Sequence, residues 1–171
     1  MASETSNTTG SYNYLRPFLA IINFGGLLLW GVSYMRPTAD LWDFIFVMIG
    51  CYFTLKFVRY LSNAHQFKHT RTQLGDLTEF PSKGIYATIR QPIAAASIYM
   101  NMAYVCFFRS FALIPVVSIF IAVWYIYARY EDQQLLLKFG TEYKEYMKAT
   151  AMLRGGSSEQ QRLASSGYDM Y

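Results

Sequence analysis

The sequence predicts an all-α integral membrane protein with about four transmembrane helices. Hydrophobic residues make up 53% of the 171 residues and charged residues only 15%. Soluble domains carry roughly 25% charged residues, so this chain has too few to cover a water-facing surface. Four apolar runs approach the roughly 20 residues that a helix needs to cross a bilayer. Nearly all ionisable residues lie beside or between these runs, which is typical of a helical membrane protein.

The first two runs occupy the N-terminal part of the chain. Residues 1–14 are rich in Ser, Thr and Asn and are predicted to be disordered. The run Leu15–Met35 follows, with one charged residue, Arg16, at its edge. The run Leu41–Leu61 is equally long and carries its charges toward its two ends. We therefore predict two transmembrane helices within residues 15–61.

The second pair of runs is shorter and more closely spaced. A polar connection without clear periodicity, residues 62–92, precedes them. The runs Ile93–Phe108 and Phe111–Ala128 are separated by only two residues. A link this short makes two helices antiparallel, so residues 93–128 are predicted to form a transmembrane helical hairpin.

The part of the chain beyond the hairpin is predicted to be a cytosolic amphipathic helix over residues 129–150. Gly140 lies at a point where this helix can divide into two pieces. Residues 151–171 are Gly/Ser-rich and are predicted to be a flexible tail. The apolar side chains recur at steps of four, four and three residues, which is typical of one helix face: Leu135, Phe139, Tyr143 and Tyr146.

The distribution of basic residues predicts the topology. With four spans, thirteen of the fifteen Lys and Arg residues fall on the side that holds both termini, and only Arg36 and Arg109 fall on the other. Basic residues are enriched on the cytoplasmic side of membrane proteins. We therefore expect both termini in the cytosol or the mitochondrial matrix, with the chain in the endoplasmic reticulum or the mitochondrial inner membrane. No nucleic-acid partner is expected.

The few candidate metal ligands point to structural roles. Cys51 and Cys106 lie in separate apolar runs, where a cysteine acts as a small hydrophobic residue. His65 and His69 have the i, i+4 spacing that can seat a metal on a helix, but no third ligand is evident. We therefore predict no metal site.

The segment Lys83–Met100 is the first with possible binding chemistry. Arg90 stands at the mouth of a predicted span, where its fork of donors can hold an anionic group. Pro92 lacks a backbone donor and suits the first turn of the entering helix. A purely structural alternative makes Arg90 a membrane anchor and Pro92 a helix start, with no ligand.

The segment Arg129–Met147 is the second segment with possible binding chemistry. Glu131 and Asp132 form an acidic pair just past the end of the fourth run. Carboxylates this close to a bilayer are costly unless they meet water, a base or a ligand. The structural alternative is an ion pair with Arg129 or a hydrated first turn of the helix.

The two segments together resemble the isoprenylcysteine carboxyl methyltransferase family and the related phospholipid methyltransferases. The family has a glycine-aromatic-x-x-x-Arg-His-Pro stretch before a short hairpin, and this chain has Gly84–Tyr86 and then Arg90–Pro92. After the hairpin the family has an acidic pair, Leu and then Phe-Gly-x-Glu-Tyr-x-x-Tyr. This chain has Glu131–Leu135 and Phe139–Tyr146. The resemblance covers Lys83 to Lys148.

The resemblance implies a membrane protein that binds S-adenosylmethionine at the cytosolic face and methylates a lipophilic acceptor. The acceptor would be a prenyl-cysteine carboxylate or a lipid headgroup that arrives from within the bilayer. The resemblance assigns no catalytic residue. The residues that match the cofactor-binding motifs are Gly84, Tyr86, Arg90, Gln91, Pro92, Glu131, Asp132, Tyr143 and Tyr146.

Some positions depart from the family pattern. Gln91 replaces a histidine, Asp132 replaces a glutamate, and Ala94 replaces an aromatic residue. Glutamine can form hydrogen bonds but cannot carry a proton or a positive charge. The departures keep open a second function, a catalytically inactive accessory subunit of a larger membrane complex, including a mitochondrial one. A sterol-reductase-like enzyme is a third alternative, which the C-terminal pattern fits less well.

Overall fold

The computed structural model describes residues 12–35, 40–66 and 78–154. Residues 1–11 and 155–171, most of the two tails predicted to be flexible, lie outside this description. Within the described ranges there is no β-strand, so the all-helical prediction is confirmed there. The elements are α1 (Tyr12–Ser33), α2 (Leu41–His65), a 3₁₀ helix (Gly84–Ala87), α3 (Pro92–Phe108) and α4 (Leu113–Ala149).

Among the helices of the described ranges, three are long and apolar enough to cross a membrane: α1, α2 and α4. The fourth, α3, is apolar but has only 17 residues, fewer than the roughly 20 that a full crossing needs. The helices thus indicate a membrane protein. The helix α2 runs four residues beyond its apolar run, and α4 joins the fourth run and the predicted cytosolic helix into one element.

The helix ends follow from local sequence. Asp43 accepts a hydrogen bond from the backbone N–H of Asp40 (2.6 Å), which satisfies a free donor at the start of α2. Pro92 opens α3, where its missing N–H costs nothing. Arg109 ends α3 in the left-handed conformation (φ 51°). Gly140 (φ 61°, ψ −128°) breaks the regular course of α4, and glycine reaches this conformation without steric cost.

The helix α3 is the centre of the bundle and packs against α1, α2 and α4. Small side chains allow this close approach, because Ala94, Ala95, Ala96 and Ala103 are all buried. A side chain at Gly31 of α1 would overlap the ring of Phe108. Large apolar side chains of α1 and α2 point away from the bundle, as lipid-facing surfaces require.

A buried polar contact joins α1 and α3 inside the bundle. Asn23 Nδ2 donates to Asn101 Oδ1 over 2.8 Å, and both residues are fully buried. Within the described ranges, Asn23 Oδ1 and Asn101 Nδ2 have no partner. The pair therefore joins two helices at a point where neither amide reaches water.

Ion pairs mark the two ends of the bundle. At the first end, next to the short connection between α3 and α4, Arg109 Nη1 lies 2.5 Å from Asp43 Oδ2. We call this the turn end. At the opposite end, Arg16 near the start of α1 pairs with Glu131 of α4. We call this the site end, because Arg90 lies there.

Candidate cofactor site at the site end

Three side chains converge on the carboxylate of Asp132. Arg90 approaches Asp132 Oδ2 through Nε (3.3 Å) and Nη2 (3.2 Å). Gln91 Nε2 (3.2 Å) and the Tyr143 hydroxyl (2.8 Å) donate to Asp132 Oδ1. We call these four residues the Arg90–Asp132 cluster. Asp132 is only 3% exposed, so a charged side chain is buried with a donor on each oxygen.

The segments that supply this cluster explain how distant residues meet. Arg90 and Gln91 directly precede the first residue of α3, and Asp132 lies on α4, which packs against α3. The break at Gly140 redirects the end of α4, and Tyr143 lies beyond that break. The helix packing and the glycine conformation together thus bring the residues to one place.

Arg90 also closes the C-terminal end of α4. Its Nη1 donates to the backbone carbonyls of Met147 (2.6 Å) and Thr150. The last carbonyls of a helix lack intrahelical partners and carry partial negative charge, which a guanidinium neutralises. Arg90 is therefore a helix cap as well as the partner of Asp132. Neither the ligand-binding prediction nor the membrane-anchor alternative included this role.

The chain after α4 turns back along the start of α3. We call Thr150–Arg154 the return segment. The backbone N–H groups of Arg90 and Gln91 donate to the carbonyls of Ala151 (2.9 Å) and Met152 (3.0 Å). Met152 and Leu153 are partly buried against a cluster formed by Ala94, Trp124 and Ala128. The return segment thus lies directly beside the Arg90–Asp132 cluster.

An aromatic cluster supports the same site from the other side. Phe80 contacts the rings of Phe139, Tyr143 and Tyr146. The Tyr146 hydroxyl donates to the backbone carbonyl of Tyr86 (2.6 Å) and so connects α4 to the 3₁₀ helix. Three of the four residues of the predicted apolar face are buried, and the fourth is half-buried.

Glu131 binds a different arginine from the one that binds Asp132. It pairs with Arg16 and accepts a hydrogen bond from the Tyr127 hydroxyl (3.1 Å). The adjacent residues Glu131 and Asp132 therefore belong to two neighbouring charge clusters, each with its own arginine.

Tyr86 lies near the Arg16–Glu131 pair. Burial raises the pKa of Tyr86, with smaller and opposing effects from Arg16 and Glu131, so its hydroxyl stays protonated at neutral pH.

Arg16 and Tyr127 are site-end residues that the sequence reasoning missed. One signal for Arg16 was present: it is the only charged residue in the first apolar run, and a charge at a membrane edge needs a partner. The alternative that paired the acidic residues with Arg129 differs from the structure, in which Arg129 is exposed while Arg16 and Arg90 supply the partners.

The remaining predicted site residues contribute through the backbone or lie farther away. Gly84 opens the 3₁₀ helix with a positive φ of 62° and is exposed. Pro92 is buried as the first residue of α3. Tyr86 is buried and is joined to Tyr146 through its carbonyl. Of the nine predicted residues, four thus share one hydrogen-bonded cluster, and the other five lie outside it.

The chemistry of the cluster suits a zwitterionic ligand. A guanidinium can hold a carboxylate in a bidentate manner, and carboxylates can hold an ammonium group or ribose hydroxyls. In this arrangement the same groups bind one another, so a ligand must take over some of their contacts. Among the described residues, no three His, Cys, Asp or Glu are grouped to hold a metal ion. Comparison with protein-family models, curated proteins and solved structures finds no match for the chain.

Proposed function

We propose that the protein is a membrane-embedded S-adenosylmethionine-dependent methyltransferase that acts on a lipophilic acceptor, a prenyl-cysteine carboxylate or a lipid headgroup. The observation that carries this proposal is the convergence of Arg90, Gln91 and Tyr143 on Asp132, although Arg90 and Asp132 are 42 residues apart in sequence. The motifs that resemble the family are thus neighbours in space as well as in order.

The chain's own residues would bind and orient the two reactants. Arg90 would hold the carboxylate of the cofactor, Asp132 its ammonium group or ribose hydroxyls, and Gln91 would donate a neutral hydrogen bond. The cofactor supplies an electrophilic methyl group. Methyl transfer chiefly requires the donor and the acceptor to be aligned and shielded from water, which a site at the edge of a bilayer can provide.

The topology that fits this proposal has four crossings, in which α3 crosses the membrane in addition to α1, α2 and α4. The helix α3 lies between helices long enough to span, and it is apolar along its length. Both termini would face the cytosol or the mitochondrial matrix, in the endoplasmic reticulum or the mitochondrial inner membrane, because basic residues flank the site end. Fusion reporters at the two termini would test this: termini in opposite compartments would contradict it.

Titration of the purified protein in detergent with S-adenosylhomocysteine, followed by calorimetry, tests the activity proposal. Arg90→Ala should weaken binding roughly 10- to 150-fold, the equivalent of losing a charged hydrogen bond. Gln91→His should maintain or strengthen binding. Arg129→Ala is the matched control, because Arg129 is an exposed arginine of α4 near the same end and should leave affinity unchanged. Thermal unfolding of each variant shows whether it is folded.

A second candidate function is a catalytically inactive accessory subunit of a larger membrane complex. The observation in its favour is that Asp132 already has donors from three protein side chains and that Arg90 caps α4. In that case these residues would only hold α3, α4 and the return segment together. Absence of binding by folded wild-type protein and by folded Gln91→His would favour this function over the enzyme.

A further inference from the structure

Arg90 divides its donors between two kinds of acceptor. Its contact with the Met147 carbonyl is 2.6 Å and it also donates to the Thr150 carbonyl, whereas its contacts with Asp132 Oδ2 are 3.2–3.3 Å. Charge-assisted bonds between nitrogen and a carboxylate are usually about 2.7–2.9 Å. The guanidinium is therefore held closer to the end of α4 than to its own counter-ion.

The return segment is held by contacts that can be exchanged. Thr150 is buried, and its backbone N–H (3.0 Å) and hydroxyl (2.6 Å) donate to the Tyr146 carbonyl, which anchors the start of the segment. Beyond it, two backbone hydrogen bonds from Arg90 and Gln91 hold the segment, and its apolar residues Met152 and Leu153 are only partly buried.

A carboxylate that enters beside Asp132 would compete for Arg90 with neutral carbonyls. A carboxylate carries a full negative charge and can accept both N–H groups of a guanidinium edge, whereas carbonyls at the end of a helix carry only partial negative charge. The released carbonyls belong to the end of α4 and to the return segment, beyond the predicted spans, so water could satisfy them. Ligand binding at Arg90 would therefore be accompanied by release of the return segment.

We propose that the return segment, Thr150–Arg154, is a displaceable lid over the Arg90–Asp132 cluster, and that the carboxylate of the bound cofactor opens it by replacing the carbonyls of Met147 and Thr150 at Arg90. This inference rests on the proposed methyltransferase function. It explains how a site whose polar groups bind one another can accept a zwitterionic ligand without losing its folded state.

A reversible cross-link tests the lid. Ile89 and Ala151 are paired by a parallel β-bridge, which brings their backbones close enough for a disulfide. In a background with Cys51→Ser and Cys106→Ala, the double variant Ile89→Cys/Ala151→Cys should bind S-adenosylhomocysteine when reduced. It should bind at least about tenfold more weakly when oxidised. Ile89→Ser/Ala151→Ser is the matched control, since oxidation cannot close its lid.

Hydrogen exchange of wild-type protein gives a second readout that needs no cross-link. The amides of Arg90 and Gln91 donate to the return segment, so saturating S-adenosylhomocysteine should speed their exchange. Equal affinity of the oxidised and reduced forms, or slower exchange with ligand, would overturn the lid and leave the methyltransferase intact. If neither the folded wild type nor the folded reduced variant binds S-adenosylhomocysteine, both the lid and the methyltransferase proposal are overturned.

Discussion

The two ends of the bundle each hold a buried arginine–aspartate pair, but the pairs are built differently. At the turn end, Arg109 lies 2.5 Å from an Asp43 oxygen that also caps the start of α2. At the site end, Arg90 lies 3.2 Å from Asp132 and is also bound to backbone carbonyls. The side chains are similarly buried in both pairs, so burial does not distinguish them.

The pairs differ in length and in the position of the guanidinium, because Arg90 is shared between a carboxylate and the backbone carbonyls at the end of a helix. A short pair between the start of α2 and the end of α3 fixes two helices at one distance. A guanidinium shared between a carboxylate and backbone carbonyls can exchange one acceptor for another without being left unpaired. We therefore expect the turn end to contribute mainly stability and the site end to contribute binding.

The largest expected effect is at the turn end. Arg109→Ala should lower the free energy of unfolding by about 3–5 kcal/mol, because it breaks a buried ion pair by removing one partner while the Asp43 carboxylate stays buried. Reversible unfolding in mixed detergent micelles measures this change. Replacing both residues, Asp43→Ala/Arg109→Ala, should cost less than the sum of the two single variants, as expected for a coupled pair.

Arg90→Ala is the comparison variant for the site end. It should cost less stability than Arg109→Ala, since Asp132 keeps the side-chain donors of Gln91 and Tyr143 and water can replace Arg90 at the carbonyls of Met147 and Thr150. A greater loss of stability from Arg90→Ala than from Arg109→Ala would contradict the division between a stabilising end and a binding end. Both variants must be measured in the same detergent.

The next expected effect concerns how α1 is held near the turn end. Gly31→Ala should destabilise the protein by about 1–3 kcal/mol, because the added methyl group would overlap the Phe108 ring. Gly26→Ala is the matched control on the same helix, where nothing lies within 4 Å of the new side chain. Equal melting temperatures for the two variants would show that α1 does not pack on Phe108.

The helices could be predicted closely because apolar run length and helix length are directly related in a bilayer. The start of α3 at Pro92 and its end at Phe108 agree with the apolar run to within one residue. The continuity of α4 beyond its apolar run could not be predicted in this way. A helix leaving the membrane keeps its backbone hydrogen bonds, so the change from apolar to polar residues does not end it.

The candidate site was only partly predictable. Arg90 and Asp132 were selected through motifs, and the structure brings them into contact. The role of Arg16 depends on how α1 packs against α4, which local sequence does not encode. The caps on Met147 and Thr150 use backbone carbonyls, and every residue has one, so such acceptors leave no trace in the sequence.

The smallest expected effect lies midway between the two ends, at Asn23 and Asn101. Asn23→Leu should destabilise the protein by about 1 kcal/mol, because it removes an interhelical hydrogen bond and leaves a buried amide unpaired. The double variant Asn23→Leu/Asn101→Leu should recover most of this loss, since leucine has a similar size and leaves no unpaired polar group. A double variant less stable than the single one would contradict this expectation and would mean that Asn101 contributes stability apart from its bond with Asn23.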